Sequence, residues 1–238
     1  MSALENLLQQ HPIWRGQALG SFSRAVSPTV STGYADLDRE LPGSGWPTGA
    51  LTEVLGLQEG IGELQLVLPA LARLSAAGKR VVWLAPPHLP YAPALAAAGV
   101  DLTHLAVVRA PGRRDALWAA EQVLCAGPCH GLIGWFRHAR YEELRRLAVA
   151  AEASRAFVVL FRPSEAAHEP SPACLRIALE SEGNELKVRI VKRRGMPAAA
   201  PLHVAVNRPV HALGRPAFQR SSLRDARAHR GVALPVHA

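Results

Sequence analysis

With 238 residues, 49% of them hydrophobic, the chain is long enough for one α/β domain with appendages and apolar enough to bury a sizeable core. No 18-residue apolar stretch is free of charge or proline, which excludes a membrane-spanning helix. Three cysteines (Cys125, Cys129 and Cys174) exclude a disulfide framework and favour a reduced, cytoplasmic setting.

The opening "MSALENLLQQHPIW" has no basic segment ahead of an apolar one, so it does not resemble a secretory leader. Residues 3–10 suit a short helix that Pro12 stops, and a Ser/Thr/Pro-rich linker completes an N-terminal region of residues 1–30. Within the domain predicted over 31–207, "TGYADLDREL" predicts a helical turn and "PGSGWPTG" a turn-dense connection. Strands and helices then alternate. Strands are predicted at 50–56, 80–87, 105–110, 131–136 and 157–162, and helices at 62–77, 91–99, 114–127 and 140–153. Pro69 inside the first of these helices removes one backbone donor and should bend it. Continuous apolar strands separated by helices predict a mostly parallel central sheet flanked by helices on both faces. Beyond residue 170 the period changes to strand alternation around Glu182-Gly183-Asn184, which predicts an antiparallel hairpin at the sheet edge. "KVRIVKRRG" is expected to be an edge strand protected by its charges, and "LHVAV" adds one further strand. Residues 208–238 have no period and are expected to form a disordered basic tail.

Charge is segregated along this layout. Residues 187–238 hold eleven Lys and Arg against one acid, Asp225, and so carry +10 of a net +8; the rest of the chain is at −2. Such an end suits a polyanion or an acidic partner, and equally a solvated tail that only aids solubility. Lys192, Arg193, Arg194, Arg208, Arg215, Arg220, Arg224, Arg227 and Arg230 are therefore the expected DNA- or partner-binding residues.

The stretch "EVLGLQEGIGELQLVL" has the layout of a phosphate-binding loop between strand and helix, with Gly56, Gly60 and Gly62 as its glycines. A working loop then needs lysine and a hydroxyl. This chain has Glu63 and Leu64. Charges about 4 Å apart interact with roughly 4 kcal/mol at an effective dielectric of ~20, so a carboxylate in the lysine's place turns an attraction into a repulsion. Leu64 cannot ligate magnesium, and Gly56 lies one residue too far from Gly62 for the usual spacing. Two further requirements fail elsewhere. The strand that should end in a magnesium-holding acid ends in Gly134, Trp135 and Phe136. The strand that should lead to a water-activating glutamate leads to Pro86 and Pro87. No catalytic residue, cofactor or ATP hydrolysis is expected.

The same segments carry a resemblance. "STGYADLDRELPGSGWPTGALTEVLG" and "AAAGVDLTHLAVVRAP" are similar to the approach to the phosphate loop and to a helix-to-strand passage of the RecA fold. "GALTEVLGLQEGIGELQLVLPALARL", "VVWLAPPHLPYAPALAAAGVDL" and "LKVRIVKRRG" resemble more closely the ImuA family, over about residues 30–195. The resemblance implies a RecA-like core and a non-catalytic accessory role in SOS-induced translesion DNA synthesis and mutagenesis. It implies as partners ImuB, an error-prone polymerase α-type subunit and RecA. It leaves the oligomeric state open. RecA's two DNA loops are cut short here, to "RHAR" and "PSEAAHEPSPA", so strand exchange is not expected and any DNA contact falls to the basic end. The alternative is a SulA-type cell-division inhibitor binding FtsZ, against which the basic extension counts. An ATPase with an unusual loop is a third reading, opposed by the three missing groups. Cys125, Cys129 and His130 lack a second ligand pair, so no metal site is expected. "GWFRHARYEELRR" mixes aromatics and bases, which suits either single-stranded DNA or a solvated helix start.

Overall fold

The computed structural model describes residues 28–56, 60–183, 185–194 and 200–206. The helix expected over 3–10 and the tail expected over 208–238 lie outside the described residues. In chain order the elements are β1 (Thr29–Val30), α1 (Ala35–Glu40), β2 (Trp46–Pro47), β3 (Ala50–Gly56), α2 (Glu63–Ala76), β4 (Val81–Leu84), α3 (Ala92–Ala97), β5 (Leu105–Val108), α4 (Arg113–Cys125), β6 (Gly131–Trp135), α5 (Tyr141–Ser154), β7 (Phe157–Pro163), β8 (Leu175–Glu182), β9 (Glu185–Lys192) and β10 (Leu202–Ala205).

The sheet runs β10-β9-β8-β3-β7-β6-β4-β5. Its six strands from β5 to β8 are parallel, and β9 and β10 continue it antiparallel. Successive side chains on a strand face opposite ways, so each apolar strand feeds two cores. On one face Val54, Trp83, Ile133 and Val159 meet Leu66, Leu71 and Leu74 of α2. On the other Leu51, Leu132, Val158 and Leu160 meet Leu117 and Leu124 of α4 and Leu144 and Leu147 of α5. Among the described residues no helix is long and apolar enough to cross a membrane.

Three details differ from expectation. β4 stops at Leu84 rather than continuing to residue 87, because Pro86 and Pro87 have no amide to give a ladder. β9 is not the edge strand: β10 pairs along it from Leu202 to Ala205. The turn-dense segment before β3 contains β2, which pairs with β1 and buries Trp46 against Phe157 at 6.1 Å between ring centroids.

The segment before β3 also explains how α2 tolerates Pro69. A proline there cannot donate to the carbonyl four residues back, that of Gln65. The Tyr34 hydroxyl donates to Gln65 O instead, at 2.9 Å. Burial raises the pKa of that hydroxyl, keeping it a donor. Gly33 lies flat on the proline ring, where a Cβ would come within 2.5 Å of Pro69 Cβ. Asp38 holds the approach in place by accepting from Thr32 N–H (2.8 Å) and Ser31 Oγ (2.7 Å). Tyr34→Phe is therefore expected to cost about 1 kcal/mol in urea denaturation by orphaning Gln65 O. In a Pro69→Ala background, where the helix supplies its own donor, the cost should vanish.

Candidate functional site

The parallel strands β3, β7, β6 and β4 end on one edge of the sheet, and the turn that precedes α2 follows β3 at that edge, where a phosphate loop would lie. Gly56 closes β3, and Gly60 and Gly62 take φ of +81° and +104°, a left-handed conformation that glycine adopts without strain. Both described glycines of the turn offer a backbone amide to an acceptor. Its anion is already present. Gly60 N–H donates to Glu63 Oε1 at 3.0 Å and Gly62 N–H to Glu63 Oε2 at 3.1 Å. The carboxylate in the lysine's position therefore takes the amides that a phosphate would need, and its charge suits the positive end of α2. Leu64, in the hydroxyl's position, packs against the core.

The end of β6, where hydrolysis would need a magnesium-holding acid, is aromatic. Trp135, at the end of β6, has its ring 5.5 Å from Trp83 and 5.2 Å from Phe161, an aromatic cluster on the α2 face. Gly134 cannot carry a side chain, because a Cβ there would meet the Phe136 ring at 2.5 Å. Pro86 and Pro87 follow β4 as the sequence implies. Of the sequence-predicted residues, Leu64 and Trp135 pack against the same core, on the α2 face of the sheet.

A buried charged cluster elsewhere in β3 was not foreseen. Glu53, fully buried in the middle of β3, accepts from Arg162 Nη1 of β7 (2.8 Å) and Arg176 Nε of β8 (2.6 Å). Arg162 also donates to Glu169 Oε2 (2.8 Å) and to Ala139 O (3.4 Å). Arg176 donates to Ala166 O, Ala167 O and Glu169 O. These bonds fasten the segment after β7, a 3-10 turn over Ser164–His168, onto the sheet. The signal was present in the sequence: "ALTEVLG", "FVVLFR" and "CLRIAL" are apolar strands with one charge each, and buried charges come paired.

Of the bases predicted to contact DNA or a partner, three are described. Lys192 Nζ donates to Ser171 O at 2.9 Å. Arg193 bonds both the carbonyl and, at 3.0 Å, the carboxylate of Glu40, so it fastens the end of β9 to α1. Arg194 is exposed. Arg208, Arg215, Arg220, Arg224, Arg227 and Arg230 lie outside the described residues. The cysteines do not converge. Cys129 is buried, its Sγ donates to Gly131 O at 3.3 Å, and burial pushes its pKa up to about 11, whereas Cys125 and His130 face solvent. Among the described residues no group of three or more His, Cys, Asp or Glu could hold a metal ion.

A scan against protein-family models gave no match to this chain, and a search of curated proteins gave none either.

Proposed function

We propose that this chain is a non-catalytic, RecA-like accessory protein of damage-induced translesion synthesis, of the ImuA kind, acting with ImuB and an error-prone polymerase α-type subunit. The observation that carries the reading is the self-occupied loop. Glu63 satisfies the Gly60 and Gly62 amides, and Trp135 fills the place of the metal-holding acid. Such a site would keep the scaffold of a nucleotide-hydrolysing core while filling its lysine and metal-acid positions with internal contacts. The strand order supports a RecA-like core: β3 lies between β7 and β8, and the chain moves out through β4 to β5 before returning through β6 and β7. The connections after β6 and β7 are short or pinned by Arg162 and Arg176, which leaves no long loop to grip DNA.

Purified protein is expected to show no magnesium-dependent ATP hydrolysis above buffer and to co-purify with ImuB. Glu63→Lys should not restore turnover, because Leu64, Trp135 and Pro87 are unchanged. It should instead lower stability by about 1 kcal/mol, the order of a lost helix cap. ATP hydrolysis by the native chain that disappears on Gly62→Arg would refute the non-catalytic reading. Failure to associate with ImuB would refute the accessory role.

A further inference from the structure

A concavity opens at the carboxyl ends of β4 and β5, with a volume of about 380 Å3. Its origin is topological. The chain leaves β4 toward α3, whose Leu95 packs in the core on the α2 side. It leaves β5 toward α4, whose Leu117 packs in the core on the opposite face. Neighbouring parallel strands whose connections depart to opposite faces leave a crevice between them, the usual place for a ligand in open α/β sheets. The floor is fixed: Ala85 N–H donates to Val108 O at 2.8 Å. Ala85 is held there at φ +50°, a left-handed conformation uncommon for a residue other than glycine.

The lining selects the chemistry of an occupant. Residues 85–90 form one wall, and Arg109, Ala110 and Pro111 the other. Four of these residues are prolines, which contribute carbonyl acceptors but no amide donors. The prolines interrupt the run of successive N–H groups that a phosphate-cradling nest needs. Their carbonyls suit a ligand that brings its own N–H groups. Arg109 is exposed and has no hydrogen bond or ion pair with any described residue, and no carboxylate lines the cleft. Leu89 and Tyr91, at and just beyond the first wall, are 73% and 67% exposed, large apolar groups with little protein cover.

We propose that this cleft is a peptide-docking site that takes an extended acidic segment of a partner protein, its carboxylate on Arg109 and an adjacent apolar side chain against Leu89 and the prolines. Charge complementarity carries the choice of occupant: an unpaired guanidinium beside an apolar, donor-poor wall fits a carboxylate next to an apolar residue. A nucleic acid strand fits less well, because it needs several cations along its backbone and the cleft lining has one arginine.

The test is selection of a random peptide display library on the full-length chain, followed by fluorescence anisotropy of the recovered peptides. Recovered sequences should pair Asp or Glu with Leu, Phe or Trp. Arg109→Glu and Leu89→Ser, both at exposed positions, should each weaken their binding at least tenfold while leaving the circular dichroism spectrum unchanged. No enrichment, or recovered peptides that bind both variants as tightly as the native chain, would overturn the proposal. Displacement of the peptides by oligo(dT) from the native chain, with Arg109→Glu abolishing oligo(dT) binding, would assign the cleft to nucleic acid and overturn it too.

Discussion

Replacing Glu53 with glutamine is expected to destabilise the domain by about 3–5 kcal/mol, the range for removing one partner of a buried ion pair. A domain's whole stability is of the order of 5–15 kcal/mol, so this single change should remove a large fraction of it. Glu53 is fully buried between Arg162 and Arg176, whose side chains are 1% and 6% exposed. Glutamine keeps the shape but leaves two guanidiniums with less than one neutralising charge between them. Arg162 retains Glu169, which is half exposed and therefore weakly effective, while Arg176 retains only carbonyls. The measurement is the urea midpoint at constant m. A cost below about 1 kcal/mol would mean that water screens the cluster, against its observed burial. A triple variant, Glu53→Leu with Arg162→Met and Arg176→Leu, separates stability from architecture. Apolar replacement of a buried ionic cluster is often neutral or stabilising by about 1–4 kcal/mol, so the triple variant should recover much of the loss. It should still release the 164–169 turn, whose carbonyls Arg176 holds, and limited proteolysis after residue 163 should report that release.

The contrast between what was legible in the sequence and what was not follows the range of each contact. The strand at 50–56 and the helix that follows the glycine turn were readable because period 2 and period 3.6 are local properties. The expected failure of a nucleotide site rested on signals equally local: Glu63, Leu64 and Trp135 stand where hydrolysis would need other chemistry. Sequence gave the sign of Glu63's effect, repulsion of phosphate, but not its use as the loop's own anion, which depends on the φ values of Gly60 and Gly62. Tyr34 and Gln65 are 31 residues apart, so the repair of the Pro69 defect could not be inferred from the helix alone. Glu53 and Arg176 are 123 residues apart. Three lone charges in apolar strands could have signalled buried partners but were not read so, and pairing them required the β7-β3-β8 order. The charges of "KVRIVKRRG" suggested an exposed edge, and a short strand after residue 200 covers it instead.

Removing residues 208–238 is expected to abolish most salt-dependent DNA affinity while leaving the fold intact. The segment carries six arginines against Asp225, so truncation lowers the net charge from +8 to +3. The last described strand ends at Ala205, so no described element is lost. Two of the three described candidate bases are already engaged, Lys192 by Ser171 O and Arg193 by Glu40, whereas Arg189 and Arg194 are exposed. Each phosphate contact releases counterions and contributes about −0.7 to the slope of log K against log salt on a single strand. With about four contacts the slope is near −3, and affinity should fall roughly 60-fold between 50 and 200 mM salt. The truncated chain should show a slope near −1 and an unchanged urea midpoint. The same charges would serve an acidic protein equally well, and the truncation distinguishes the two partners. If DNA binding and its salt slope survive while association with ImuB is lost, the basic end docks a protein, and the electrostatic assignment to DNA is wrong.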